Sequence, residues 1–364
     1  MEKKRKRKGF LKFHDVVTRI IEYVKSDDIY INGADNLYPN TVQNVLYQSN
    51  TASLAIRALS DFISGKGVEN DFIVNKKGQY LSELIADIST DIAVQNGFWL
   101  HVSYELDDNL KYKPVNPILL PYIDCRKSKE DDADNDGKIY VSDWSKSSNN
   151  FFSNIFKKDK TDWYYPFNPK QEVVHAQVLA DGGIEKYRGQ VMYVNLTPHF
   201  EYALSLFNAV INDADSENRV GMYTNAQLRG GFMGKTLAVT NGLDESFEDV
   251  VYEWIGAEGA SGVAVVNLEK TEDIKDAIHL IQVKSQYDEK QFSETKQALR
   301  ENILGAAKNL PKQLVIDGGG IFSQSGEAIQ KLKEFYSEQT QNERNAIEKA
   351  FKKIGIECKI IPLV

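Results

Sequence analysis

Glu201-Tyr-Ala-Leu-Ser-Leu-Phe-Asn-Ala-Val-Ile211 opens a stretch, residues 199–310, around which the rest of the chain is arranged. Its apolar residues at 203, 204, 207, 210 and 211 share one helix face and predict a helix running on to about Gln227. A second helical run, residues 287–308, closes the stretch. Between the two the pattern reads strand at 234–240, helix at 244–255, strand at 262–268 and strand at 278–283. A small α/β module carried between two helices forms the tip of a helical stalk. Such a tip suits a surface that meets a partner better than a catalytic pocket.

The full chain has 364 residues, 42% hydrophobic and 26% charged, enough for two or three folding units with a substantial core. Cys125 and Cys358 stand far apart, without CxxC or Cys/His spacing, so neither a disulfide framework nor a zinc site is expected and a reducing compartment fits. No apolar run approaches the roughly 20 residues needed to cross a bilayer, and no signal-peptide pattern opens the chain. A protein neither secreted nor embedded in a membrane is the expectation. The net charge of −8 argues against a binder that wraps nucleic acid by neutralising many phosphates. One exception is the basic run Lys3-Lys-Arg-Lys-Arg-Lys8, which reads as a solvated, disordered tail or as a contact for DNA or an acidic surface. After it, Phe13, Val16, Val17, Ile20, Ile21 and Val24 form the apolar face of an amphipathic helix that docks on protein rather than lipid.

In chain order, residues 30–40 read as a loop of turn formers, and helix is expected from Thr41 to Ile63 with a polar break and a fresh N-cap signal at 48–51. Gly65-Lys-Gly67 stops it. Another helix spans 81–95 and ends at Asn96-Gly97. From Phe98 the pattern turns to short strands broken by Pro114, Pro117 and Pro121, with further strands at 140–144 and 190–195 and a long loop at 146–167. The region is a mixed α+β unit of about 200 residues.

Several local patterns imitate chemistry. Asp132-Ala-Asp-Asn-Asp-Gly-Lys-Ile-Tyr-Val-Ser-Asp143 has the acidic positions and central glycine of an EF-hand calcium loop, with Asp in place of the final Glu. Its flanks favour a polar hairpin turn between strands. Gly230-Gly-Phe-Met-Gly-Lys-Thr236 is one residue short of a P-loop and lacks its leading strand, so its amides are not spaced to curl around phosphates. Asp317-Gly-Gly-Gly320 reads as a flexible loop, since the next helix starts only near Ser325. His14, His101, His175, His199 and His279 are scattered and suggest packing or surface roles. No catalytic residues, metal ligands or cofactor site are expected. The residues still leave open a cytoplasmic nucleotide-dependent enzyme using the 230–236 loop or the calcium-like loop.

The order of parts resembles the portal proteins of tailed bacteriophages over nearly the whole length. The matching features are Asn36-Leu-Tyr-Pro39, the following helix pair with Ser49, Ser53 and Ile56, and the stop Gly65-Lys-Gly-Val68. Further along come the helix–module–helix order, Ile303-Leu-Gly-Ala-Ala-Lys-Asn-Leu-Pro311, and a long helix containing Gly326-Glu-Ala and residues 335–344. The chain departs from the family pattern in having Pro311 alone where a proline pair is usual, and in a reduced C-terminal crown.

The resemblance implies an α+β fold with an N-terminal arm and mixed α/β wing at 1–198, a first stem helix at 199–229, a small α/β clip at 230–284 and a second stem helix at 285–310. A channel loop, a long C-terminal helix and the end of the wing would fill 311–364. It further implies a non-enzymatic homo-oligomeric ring, a dodecamer, assembled in the host bacterial cytoplasm and set at one capsid vertex of the virion. Its partners would be double-stranded DNA in the channel, the terminase large subunit, a head-tail adaptor and the major capsid protein, with no membrane. Asp317, Gly318, Gly319, Gly320, Ile321, Phe322, Ser323, Gln324 and Ser325 would be the DNA-facing loop. Asp244, Phe247 and Trp254 would lie in the partner-docking clip. Another head-tail joining protein of a virion is the alternative within the same class.

Overall fold

The computed structural model describes residues 29–128, 137–147, 162–229, 235–239, 263–266, 279–283, 289–315 and 326–364. Three helices come first: α1 (Tyr38–Gln48), α2 (Asn50–Ser64) and α3 (Leu81–Gln95). The expected break at 48–51 is real. Ser49 caps α2, its side chain accepting from the Ala52 N–H. Helix begins three residues earlier than the turn-rich sequence predicts, because Pro39 occupies the first turn, where no N–H is needed. Gly65 ends α2 at φ +65°, and a Cβ there would lie 2.0 Å from the Ile361 carbonyl oxygen. The glycine is required because the C-terminal segment passes against it: Lys66 N–H donates to Ile361 and Ile361 N–H to Gly67.

Six strands form one sheet in the order β2-β1-β6-β5-β4-β3. They are β1 (Gly97–Leu106), β2 (Tyr112–Leu120), β3 (Cys125–Lys127), β4 (Ile139–Val141), β5 (Asp162–Pro166) and β6 (Gln190–Asn195). Contrary to expectation, Pro114 and Pro117 do not break β2. It is an edge strand, where a missing donor on the outer side costs nothing, and an extra residue between Val115 and Ile118 is absorbed as a bulge opposite His101 and Ser103. All pairs are antiparallel except β5 with β6. That parallel pair needs a crossover, supplied by α4 (Gln171–Ala180). This helix is not legible in the sequence, because its apolar residues spread around the axis and only Val174 and Val178 are buried while Leu179 is exposed. The strand expected at 140–144 ends at Val141; Trp144 sits in a 3-10 turn and donates from Nε1 to the Asp124 carbonyl. Within the expected 146–167 loop, β5 occupies the last part.

The helical run expected to start at Glu201 starts later: a 3-10 turn at Leu206–Val210 leads into α5 (Ile211–Arg229). Residues before it are non-helical because they close other elements. Ala203 N–H donates to Tyr193, Asn96 donates to the Leu204 carbonyl, and Ser205 Oγ donates to the Val94 carbonyl at the end of α3. Three strands, β7 (Lys235–Val239), β8 (Val263–Val266) and β9 (His279–Val283), form a second sheet ordered β8-β7-β9, with β7 parallel to β8 and antiparallel to β9. The three expected strands of the module are thus present, and the helix expected at 244–255 lies outside the described residues. Then follow α6 (Glu289–Ala306), α7 (Gly326–Gln339) and α8 (Gln341–Lys353). The single long C-terminal helix of the sequence reading is therefore two helices. Thr340 breaks it, and its hydroxyl bonds back to the Ser337 carbonyl.

The main core joins α1, α2, α3, β1 and the buried faces of α4 to α8. Smaller clusters lie around Trp99, Tyr122 and Tyr202, and around Ile29, Tyr140 and Trp144.

Candidate functional site: the base of the helix pair

α5 and α6 pack on each other and against α2, and α5 also packs against α1. α5 buries Ile211, Ala214 and Glu217 on one stripe, while from Arg219 on none of its described side chains is fully buried and Leu228 is exposed. α6 mirrors this, exposed at 293–298 except for a half-buried Lys296, and burying Leu299, Ile303, Leu304 and, just past its end, Ala307 on one face further on. The pair is rooted at one end and extends away from the core at the other.

The root is polar and tightly bonded. Glu217 is 6% exposed and its carboxylate accepts from Ser49 Oγ at 2.6 Å, Thr51 Oγ1 at 2.6 Å and Thr51 N–H at 2.9 Å. Arg300 of α6 places Nε 3.6 Å from Glu217 Oε1, an ion pair too long for a hydrogen bond. Burial pushes the Glu217 carboxyl up, but the three hydrogen bonds and Arg300 outweigh it and hold the group below its ordinary value. Around this centre Asn302 donates to Asp213, Asn218 to Gln48, and Tyr38 to Asn208. One carboxylate thus ties α5 to the start of α2 and to α6.

α6 ends in a second joint. Lys308 and Asn309 both take positive φ, and Leu310 N–H bonds back to the Leu304 carbonyl before Pro311. Lys308 Nζ reaches Glu343 at 2.6 Å and the Gln339 carbonyl at 2.8 Å, and Tyr336 donates to the Ala307 carbonyl. Buried Arg344 donates to the Phe62 carbonyl, Thr340 Oγ1 and the Ser337 carbonyl, bridging α2 to the α7–α8 break. The Asn36-Leu-Tyr-Pro39 motif is explained by a third joint. Asn36 has φ +62°, and its Oδ1 accepts from Asn32 N–H and from Nε of the fully buried Arg126.

The loop residues Asp317, Gly318, Gly319, Gly320, Ile321, Phe322, Ser323, Gln324 and Ser325, and the docking residues Asp244, Phe247 and Trp254, lie outside the described residues. Lys235 and Thr236 open strand β7, where a P-loop would open a helix. Of the calcium-like loop, residues 132–136 lie outside the description. Its end forms β4, antiparallel to β3, and only a 3-10 turn at Trp144–Ser147 follows where an EF-hand would run its second helix; Asp143 accepts from Ser145. Among the described residues no His/Cys/Asp/Glu cluster could hold a metal ion, and no helix is long and apolar enough to cross a membrane. His101 packs on Tyr164 and bonds the Arg188 carbonyl, and His175 pairs with Tyr112. Ser49 carried a cap signal in the sequence. Glu217, Arg300, Arg126 and Arg344 carried none, since their partners stand far away in the chain.

No family model matches the sequence, and no curated protein matches it. Solved structures do. A chain from the neck of an empty gene transfer agent (GTA) particle with C6 symmetry matches with TM-score 0.50 and 13% identity, covering 89% of this chain and 84% of that one. A chain from the virion of a native GTA particle gives TM-score 0.47, 14% identity, and coverage of 89% and 83%. One from the neck of a native GTA particle with C12 symmetry gives 0.45, 13%, 89% and 83%. The first likeness shows a fold shared along most of both chains.

Proposed function

We propose that this chain is a portal protein of a phage-like particle: a ring at the junction of head and tail through which double-stranded DNA passes. The observation that carries the reading is the fold shared with a GTA neck chain over 89% of this chain. Its support within the molecule is the rooted helix pair with a three-stranded sheet between its helices, which fits a stem carrying a clip. In this reading the clip meets the terminase large subunit and then the head-tail adaptor, and other surfaces meet the major capsid protein. A dodecamer is compatible with the C6 symmetry of that neck, because a twelve-fold ring contains a six-fold axis. The net charge of −8 fits a channel in which DNA slides, since a densely basic lining would hold phosphates by counterion release. The role is structural rather than enzymatic.

Negative-stain images and sedimentation of the purified protein test this. Closed rings with a central hole are expected, and a strictly monomeric mass at high concentration overturns the reading. ATP hydrolysis that disappears with Lys235→Ala would instead favour a nucleotide-dependent enzyme.

A further inference from the structure

The loop before α3 and the outer face of α3 make one surface of two characters. Phe72, Ile73 and Tyr80 are 43%, 56% and 46% exposed, and Ile73 and Tyr80 are bridged to each other. Directly beyond them runs an acidic line at four-residue spacing on α3: Glu83, Asp87 and Asp91. Glu83 accepts from Tyr80 N–H and Asp87 from Gln79, so the apolar and acidic parts are held together.

Asp91 lies in a groove of about 370 Å³ that it lines with Lys77, Asp87, Leu120 and Pro121. Its Oδ2 is buried and has no hydrogen-bond partner. Burial, together with the neighbouring charge of Asp87, pushes this carboxyl up to about 7. A carboxylate left without a partner beside a second one is a place where a cation is favoured.

The chain carries a segment of matching character. Lys3-Lys-Arg-Lys-Arg-Lys8 is followed by the apolar face of Phe13, Val16, Val17, Ile20, Ile21 and Val24. Its root is close to the groove. Tyr30 N–H bonds the Lys127 carbonyl, and Lys127 is six residues from Pro121 on the groove's rim, at most about 20 Å of extended chain. Residues 1–28 are more than long enough to cover that distance, and so short a tether gives a high effective concentration.

We propose that residues 3–24 dock within their own chain on this face, the apolar stripe on Phe72, Ile73 and Tyr80 and the basic run along Glu83, Asp87 and Asp91. The arm then covers exposed apolar surface and supplies the missing cation at Asp91. Its consequence is that the N-terminus is held against the α3 side of the subunit rather than projecting from the β3 edge.

Limited trypsin digestion of the full chain tests the proposal, with cleavage at Arg19 and Lys25 read by mass. Protection is expected in the wild type. Replacing Lys3 to Lys8 by Gln, a change that leaves the folded body untouched, is expected to raise the cleavage rate about tenfold. The pair Asp87→Lys and Asp91→Lys is expected to do the same, and combining it with Glu at positions 3–8 is expected to restore protection. Unchanged cleavage in both single sets, or no restoration in the combination, overturns the proposal. Mixing a protein that carries only Glu at positions 3–8 with one that carries only Asp87→Lys and Asp91→Lys during assembly addresses which copy is used. No recovery of protection is expected, and recovery would move the arm to a neighbouring copy and overturn docking within the chain.

Discussion

Glu217 and Ser49 stand 168 positions apart, yet the Ser49 hydroxyl donates to the Glu217 carboxylate at 2.6 Å while accepting from the Ala52 N–H at 3.1 Å. The cap that starts α2 is therefore set by a side chain of α5.

Glu217→Ala leaves the Ser49 and Thr51 donors buried without an acceptor and is expected to lower stability by about 2–4 kcal/mol. Arg300→Met is expected to cost less than about 1 kcal/mol, because Arg300 is partly exposed and 3.6 Å away. Urea unfolding of the two variants checks the order. Equal effects would mean that the ion pair, and not the cap, holds the root.

The same carboxylate has a pH signature. Its folded-state pKa is held below the ordinary 4.5, so the unfolded chain takes the proton first. The stabilisation is therefore fully present above that ordinary value and is lost as pH falls through the lowered folded one. The stability difference between wild type and Glu217→Gln should shrink as urea titrations are moved from about pH 6 to pH 3. A difference that grows on acidification would reverse the sign of the argument.

Gly65→Ala is expected to cost about 3 kcal/mol or more, since the new Cβ meets the Ile361 carbonyl oxygen at 2.0 Å with φ at +65°. Removing residues 359–364 takes away that contact along with the bridge of Val68 to Ile360. The two changes share one contact, so their effects should be clearly less than additive. Full additivity in a double-variant cycle would separate the glycine from the tail.

Asn36 has two functions that substitution can divide. Asn36→Gly keeps the positive φ but removes the acceptor for Arg126, for an expected loss of about 1–3 kcal/mol; Asn36→Ala removes both and should lose more. Arg126→Lys is expected to be as damaging as Asn36→Ala, because one ammonium cannot replace bonds to Asn36, Ile123 and Cys125. Thermal unfolding of the three variants measures this. A near-native Arg126→Lys would show that geometry at this joint matters little.

For the proposed channel, replacing Gly318, Gly319 and Gly320 by alanine restricts the backbone and is expected to leave ring yield unchanged while lowering DNase-protected DNA in particles. Normal packaging from fully assembled rings would remove this loop from the mechanism.

What the sequence alone determined is whatever rests on neighbours in the chain. The α2 cap at Ser49, the helix Leu81–Gln95, the three strands of the second sheet and the α5–α6 pair were all legible, because helix faces, caps and strand alternation repeat within a few residues. Tertiary structure decided the rest. Residues 201–205 stay out of the helix, despite a helical spacing, because groups at 203–205 close the end of α3 and its neighbours. β2 runs through two prolines because it lies at an edge, and α4 forms to bridge a parallel pair. Glu217, Arg126 and Arg344 look like ordinary surface charges in the sequence. Only the fold brings them to partners such as Ser49, Asn36 and Phe62, which are distant in the chain, and local pattern carries no information about which distant groups a buried charge will meet.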